Sequence, residues 1–285
     1  MITRWQRNLD AVTERGPSPA LWGDCPWLEM QLDPGRGISE FQDFLSGGLI
    51  TAPTTEAALV GLPISGFSST ASQISFGNAV YTNSVNDAGV IVLAETTTRE
   101  STSIRSSVTP YRISANFGKL WFEARLKIST VATAEMSFFV GLFEEEALTV
   151  DIPVIAAGAD THLVADKNMV GFKKPVADTT TFDAMYRADG QTAVVVHDGL
   201  GTLAADTYIK LGFKFDPFDN SLYYYVNNEK QDQTTVVEVP DNTGTSFPAD
   251  VALGWILGMS VGTAASDNTL KCDWIRVAQE FAVHE

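Results

Sequence analysis

Residues 118–128 read GKLWFEARLKI, with Leu120, Phe122, Ala124, Leu126 and Ile128 on one parity and Lys119, Glu123, Arg125 and Lys127 on the other. Successive strand side chains point to opposite faces, so this spacing predicts a strand with one buried and one wet face. The same alternation returns in DTYIKLGFKFD (206–216), where Ile209, Leu211, Phe213 and Phe215 oppose Lys210 and Lys214. VALGWILGMSV (251–261) sets Val251, Leu253, Trp255, Leu257, Met259 and Val261 against smaller residues. AEMSFFVGLFEE (134–145) is apolar at both parities, as expected of a central strand in a two-layer sandwich. AGVIVLAE (88–95), PYRISANFG (110–118), TAVVVHDG (192–199), SLYYYVNNEKQ (221–231) and LKCDWIRVAQ (270–279) complete the predicted strands, with DPFDN (216–220) as a hairpin turn. No helical period is sustained from 49 onward. The pattern predicts an all-β, antiparallel two-sheet sandwich with strand content above the average of globular proteins. Leu120, Phe122, Leu126, Phe138, Val140, Ile209, Leu211, Phe213, Trp255 and Trp274 should be buried.

Residues 1–48 have a different texture. TRWQRNLDAVTERG spaces Trp5, Leu9 and Val12 as a short amphipathic helix that stops at Gly16-Pro17. A proline-punctuated run follows, predicting irregular chain, yet it carries Trp22, Trp27, Leu28, Met30 and Leu32. A disordered linker would be poor in such residues, so this arm packs on something, its own domain or a partner. The chain divides into an arm, 1–48, and a sandwich domain, 49–285.

Composition narrows the function classes. The 285 residues are 45% hydrophobic, enough for one large β domain. With 19 basic and 35 acidic residues the net charge is −16, which argues against nucleic-acid and anionic-membrane partners. Cys25 and Cys272 form no disulfide framework and no metal-ligand spacing. Cys272 alternates with Leu270 and Trp274 and reads as a small core residue. No long apolar run predicts a membrane span, and MITRWQRNLD lacks the apolar stretch of a secretory signal. Synthesis and folding in a reducing cytosol is the expectation.

Candidate chemistry is sparse. His162, His197 and His284 are scattered, with no H-x-x-H or H-E-x-x-H spacing, and His197 in HDG reads as a turn residue. GLG (199–201) also reads as a turn, and no G-x-S-x-G elbow is present. Glu144 and Glu146 would share a face if their strand continued, but they follow the apolar run and read as a solvated turn. Asp216, Asp219 and Asn220 could offer oxygens to Ca²⁺, although hairpin turns use the same residues; no cofactor is otherwise expected. Tyr223 and Tyr225 share a strand face and could stack on a sugar ring.

The order FGKLWFEARLKI, FFVGLF, VGF (170–172), DTYIKLGFKFD–turn–LYYYVNNEK and LKCDWIRV resembles the concanavalin A-like lectin/glucanase jelly roll, which includes laminin G-like domains. The resemblance covers roughly residues 80–280. It implies, for retaining glucanases, an E-x-D-x-E strand aiming carboxylates into one cleft. MSFFVGLF carries none, so no glycoside hydrolysis is expected and the chain is read as a non-enzyme. WGDCPWLEMQLDPGRGISEFQDFLSGG ahead of a jelly roll resembles the N-terminal segments of structural proteins in tailed-bacteriophage particles. That resemblance implies a virion protein made in the host cytoplasm, a capsid decoration protein on the particle exterior. Its arm, through Trp5, Trp22, Trp27, Phe41 and Phe44, would bind the major capsid protein or a sister subunit of a homo-oligomer. A tail-associated or fibre protein is the near alternative, and a carbohydrate-binding module or adhesin the alternative of another class.

Overall fold

The computed structural model describes residues 15–44, 89–95, 101–114, 116–133, 135–144, 167–177, 180–192, 194–235, 246–262 and 268–281. It also describes short strands between 49 and 76 and a hairpin between 154 and 164. The structure is mostly β, with 57% strand against 6% helix, well above the average of roughly 20–25% strand.

Two antiparallel sheets pack face to face. The first runs β17 (Glu229–Thr235), β16 (Ser221–Val226), β15 (Ile209–Asp216), β8 (Leu120–Ile128), β19 (Asn268–Glu280), β6 (Ile91–Glu95), β5 (Gln73–Phe76) and β2 (Leu49–Thr51). β1 (Gly37–Gln42) also pairs with β19. The second runs β14 (Val194–Thr202), β13 (Thr181–Arg187), β12 (Met169–Lys174), β9 (Met136–Glu144), β18 (Leu253–Val261), β7 (Ser101–Ser106), β4 (Ile64–Ser68) and β3 (Ala57–Ala58). A separate hairpin, β10 (Val154–Ala157) and β11 (Thr161–Val164), lies with β10 against β18 and β9.

The alternating positions form the core as expected. Leu120, Phe122 and Leu126 of β8 meet Phe213 and Leu211 of β15, with Phe122 and Phe213 stacked at 5.1 Å between ring centroids. Phe138, Val140 and Leu142 of β9 face them from the other sheet with Trp255 of β18. All ten residues predicted buried are so, and Cys272 is fully buried. β9 is buried at both parities, which explains why its sequence shows no alternation.

Three sequence expectations fail locally. The stretch 110–118 is not a strand: it makes one bridge, Tyr111 to Leu253, before a turn closed by the Phe117 N–H to the Ser114 carbonyl. HDG and GLG lie inside β14 rather than in turns, because β14 bends through two register shifts against β13 instead of ending. A register shift between Cys272 and Trp274 sends Trp274 to the outer face, where its Nε1 donates to the Arg15 carbonyl at 2.7 Å. The predicted helix with Trp5, Leu9 and Val12 lies outside the described residues.

The N-terminal segment straps across the outer face of the first sheet. Pro19 starts α1 (Pro19–Trp22) and α2 (Trp27–Leu32) follows after Cys25-Pro26. Leu21, Trp22 and Met30 pack with Trp121, Tyr225 and Ala278 into a second apolar cluster. Strand β15 offers Gly212 at the contact, where a Cβ would stand 2.5 Å from Leu21 Cδ2 and 2.9 Å from the Phe122 carbonyl. Polar anchors fix the register. The Ser18 N–H and Trp22 Nε1 donate to Glu123 Oε2 at 3.0 and 2.7 Å. Arg15 reaches Asp273 at 2.6 and 2.9 Å, and Arg125 shares that carboxylate at 2.7 Å. Phe44 enters the main core edge-on to Trp255.

Burial pushes the Glu123 carboxyl up, against the hydrogen bonds from Ser18 and Trp22 that favour its ionised form. A folded value above the unfolded 4.5 makes this group's stability contribution fullest below that pH, and the contribution is lost as pH rises through the folded value. Glu123→Gln keeps an acceptor and should flatten that dependence in urea titrations from pH 4 to 8. Glu123→Ala strands two buried donors and should cost about 1–3 kcal/mol for each. A Gln variant as unstable as the Ala variant would refute this account. Gly212→Ala, which must displace Leu21, should cost about 1–3 kcal/mol by the same measurement.

Candidate functional site

The outer face of the central strands of the second sheet carries no carboxylate pair. Alternation from the core residues puts Ser137, Phe139, Gly141 and Phe143 of β9 outward, with Met169, Gly171 and Lys173 of β12 and Gly254, Ile256, Gly258 and Ser260 of β18. Phe139, Met169 and Ile256 are nonetheless fully buried, so this face is covered rather than open. Glu144 ends β9, accepting from Asn168 Nδ2 at 2.5 Å, with Lys167 at 3.7 Å. Glu146 lies outside the described residues.

Carboxylates instead meet at one end of the first sheet. A cleft of about 570 Å³ opens between the chain following α2 and the ends of β8, β15 and β19. Arg36, Lys119, Asp216 and Glu280 supply its charges, and Phe117, Phe218 and Phe281 its aromatic surface. Phe218, on the turn after β15, is 97% exposed, and Phe281 half-exposed, so two rings stand in solvent at the opening. Exposed aromatic rings beside polar groups are what a ligand with an apolar face and a polar rim requires.

The ladder explains the convergence. Lys119 directly precedes β8, Asp216 ends β15 and Glu280 ends β19; the Glu280 N–H donates to the Lys119 carbonyl at 2.9 Å. Gly118 lets the backbones close up, its added Cβ standing 2.5 Å from the Glu280 carbonyl oxygen. Lys119 Nζ lies 3.1 Å from both Asp216 Oδ2 and Asp24 Oδ2, and Lys214 Nζ 3.1 Å from Asp24 and 4.0 Å from Asp216. Trp121 Nε1 donates to Asp24 Oδ1 at 3.0 Å. Burial alone would raise the Asp24 carboxyl, but Trp121, Lys119 and Lys214 hold it below the ordinary range. Glu280 sits differently. Burial pushes its carboxyl up, and the Asp24 and Asp216 charges add to this against Lys119 and Arg36. Asp24 and Glu280 are thus shifted in opposite directions by their surroundings.

The sequence-predicted residues are dispersed. Trp22 and Phe44 are buried in the chain's own domain, Trp27 lies under Arg276 at 3.7 Å, and Phe41 is half-exposed beside Trp274. Trp5 lies outside the described residues. Tyr225 is covered by the strap, whereas Tyr223 is partly buried against the same cluster, its ring beneath Lys230 at 4.4 Å and its hydroxyl on Asp219. Asp216 Oδ1 accepts from the Phe218 N–H at 3.1 Å, closing the turn as a hairpin residue does. Among the described residues no group of three His, Cys, Asp or Glu side chains could hold a metal ion. His162 lies in β11 with its side chain outside the described residues, as is all of His284. His197 is on β14. Of the cleft, only Asp216 was singled out by sequence, for another role; Arg36, Phe117 and Glu280 lie too far apart in the chain to form a motif.

No family model and no curated protein matches the chain. Solved structures do. A Bacillus licheniformis beta-glucanase is 14% identical, with 84% of this chain and 97% of that chain covered at a TM-score of 0.47. The apo Crh5 transglycosylase is 14% identical over 87% of each chain at 0.46. A Shewanella oneidensis protein of unknown function is 13% identical, covering 91% and 96% at 0.46. At these identities the likeness concerns the fold, which is the concanavalin A-like jelly roll. Trp22 and Phe44, expected to bind a capsid or a sister subunit, are buried on their own domain, and the similar structures include glucanases and a transglycosylase. The reading of the chain as a non-enzymatic capsid decoration protein is corrected accordingly.

Proposed function

We propose that the chain acts on carbohydrate, taking a glycan in the cleft bounded by Phe117, Phe218 and Phe281 and cleaving or transferring it with Glu280 and Asp216. One observation carries this reading: a carboxyl raised by burial, Glu280, shares an aromatic-edged cleft with an ion-paired carboxylate, Asp216. Sugar rings offer an apolar face to aromatic side chains and hydroxyls to charged groups, matching both halves of the lining. A glycosidic bond breaks when one carboxylic acid protonates the departing oxygen while a carboxylate stabilises or attacks the positively charged sugar carbon. Glu280 suits the first task, and Asp216, held by Lys119, the second.

Incubating the protein with β-1,3-, β-1,4- and mixed-linkage glucans and other polysaccharides should yield new reducing ends or longer transfer products. Phe218→Ala should weaken glycan binding roughly tenfold, since stacked aromatic contacts are worth about 0.5–1.5 kcal/mol. Neither binding nor product across the panel would overturn the proposal.

A further inference from the structure

Away from the cleft, the two sheets meet at their edge strands β14 and β17. His197 of β14 stands between two side chains of β17: its Nδ1 is 3.1 Å from Asp232 Oδ2 and its Nε2 3.2 Å from Thr234 Oγ1. We propose that Thr234, His197 and Asp232 form an acyl-transfer centre acting on small esters.

Backbone irregularities aim these groups. In β17 the register shifts between the partners of Tyr224 and Tyr225, leaving Asp232 opposite Tyr224 and Thr234 opposite Leu222. Cross-strand partners share a face, and Leu222 and Tyr224 point into the core, so Asp232 and Thr234 turn toward the opposite sheet. In β14, His197 lies between two register shifts, with Phe182 opposite Gly201 and Met185 opposite Val195. Bulges re-aim side chains and gather next to active sites. Here they occur on both strands at the same place.

The partners also fix the chemistry of the ring. A carboxylate can only accept, so Nδ1–H donates to Asp232, and in the neutral ring Nε2 is then the acceptor facing the Thr234 hydroxyl. That is the order nucleophile, base and orienting acid. A second observation points to a ligand. The Tyr224 ring stands edge-on to the imidazole at 5.2 Å between centroids, and its buried hydroxyl has no hydrogen-bond partner. Burial pushes this phenol well up, so it stays a neutral O–H donor. Asp232 is 55% exposed at the side chain and His197 18%, so the group reaches solvent.

In the first step Thr234 Oγ1 bonds to the ester carbonyl carbon while its proton passes to His197 Nε2. The bond from that carbon to the alcohol oxygen then breaks, and the alcohol leaves with the proton from Nε2. Water attacks the acyl-threonine in the same way, giving its proton to Nε2; a carboxylic acid departs and Thr234 recovers its hydroxyl. No redox partner is required.

The experiment follows p-nitrophenolate release from p-nitrophenyl acetate by the full chain and maps acetylated residues by peptide mass spectrometry. Release above buffer, with acetyl on Thr234, is expected. His197→Gln and Thr234→Ala should lower the rate roughly 10²-fold or more, and Thr234→Ser should retain it. A merely structural tie would lower the melting temperature in these variants without a transient acetyl adduct. Asp232→Asn, at an exposed position, keeps the test open should His197→Gln fail to fold, and should also slow release. Release equal in wild type, His197→Gln and Asp232→Asn, adducts only elsewhere, or no release by the folded protein would each overturn the proposal.

Discussion

Trp22→Ala should lower the unfolding free energy by about 3–5 kcal/mol, the range for truncating a buried tryptophan. The ring is 7% exposed, lies edge-on to Trp27 at 5.7 Å, and carries the Arg276 guanidinium 4.3 Å above it. Its Nε1 is one of two donors that reconcile Glu123 with burial. Removing it costs apolar contact, a cation–π contact and a hydrogen bond together. Burial already lowers the Arg276 value to about 10, so that guanidinium has little water to fall back on. Trp22→Phe should lose only the part of this due to the indole N–H, about 1–3 kcal/mol. Urea unfolding of the three proteins checks the ordering. A Trp22→Ala variant within about 1 kcal/mol of wild type would show that the strap adds nothing to the fold, since a buried tryptophan should exceed that several-fold. Deleting residues 15–44 should be more damaging still, because it also removes β1 from its place beside β19 and Phe44 from the core.

Glu280→Gln should cut glycan turnover by roughly 10²–10⁴-fold, the usual contribution of a positioned proton donor. Desolvation raises the Glu280 carboxyl above its ordinary 4.5, with Asp24 and Asp216 adding to it. The working form is protonated, so the rate should hold at low pH and fall as pH rises through this raised value. The Gln variant should lose that limb. Substrates with a well-stabilised leaving group need no proton and should be spared, whereas Asp216→Asn should slow every substrate alike. A pH profile unchanged in Glu280→Gln would assign the proton to another group.

The strands and their buried faces were legible because each is written within about ten residues. Side chains alternate along a strand, so GKLWFEARLKI and DTYIKLGFKFD identify both a strand and the face that must leave water. The errors mark where that period breaks. Trp274 and His197 sit at register shifts, which move a side chain to the other face without changing the local composition. In 110–118 the described residues make one bridge, Tyr111 to Leu253, and no further ladder.

The strap was half-visible. Tryptophans in a proline-punctuated segment announced a packing surface, but not whose. The answer came from residues near 121, 212, 225 and 278, which only the sheet brings side by side. Functional chemistry was least legible of all. MSFFVGLF carries no carboxylate, and Glu280 and Asp216 become neighbours only because β19 and β15 flank β8. The sequence by itself thus determined the all-β class, the alternating core and the DPFDN turn, which follow from backbone period and local residue chemistry. Tertiary structure decided where the arm lies, which carboxyl is desolvated and which residues His197 meets, because burial and proximity between distant strands set charge and proton placement.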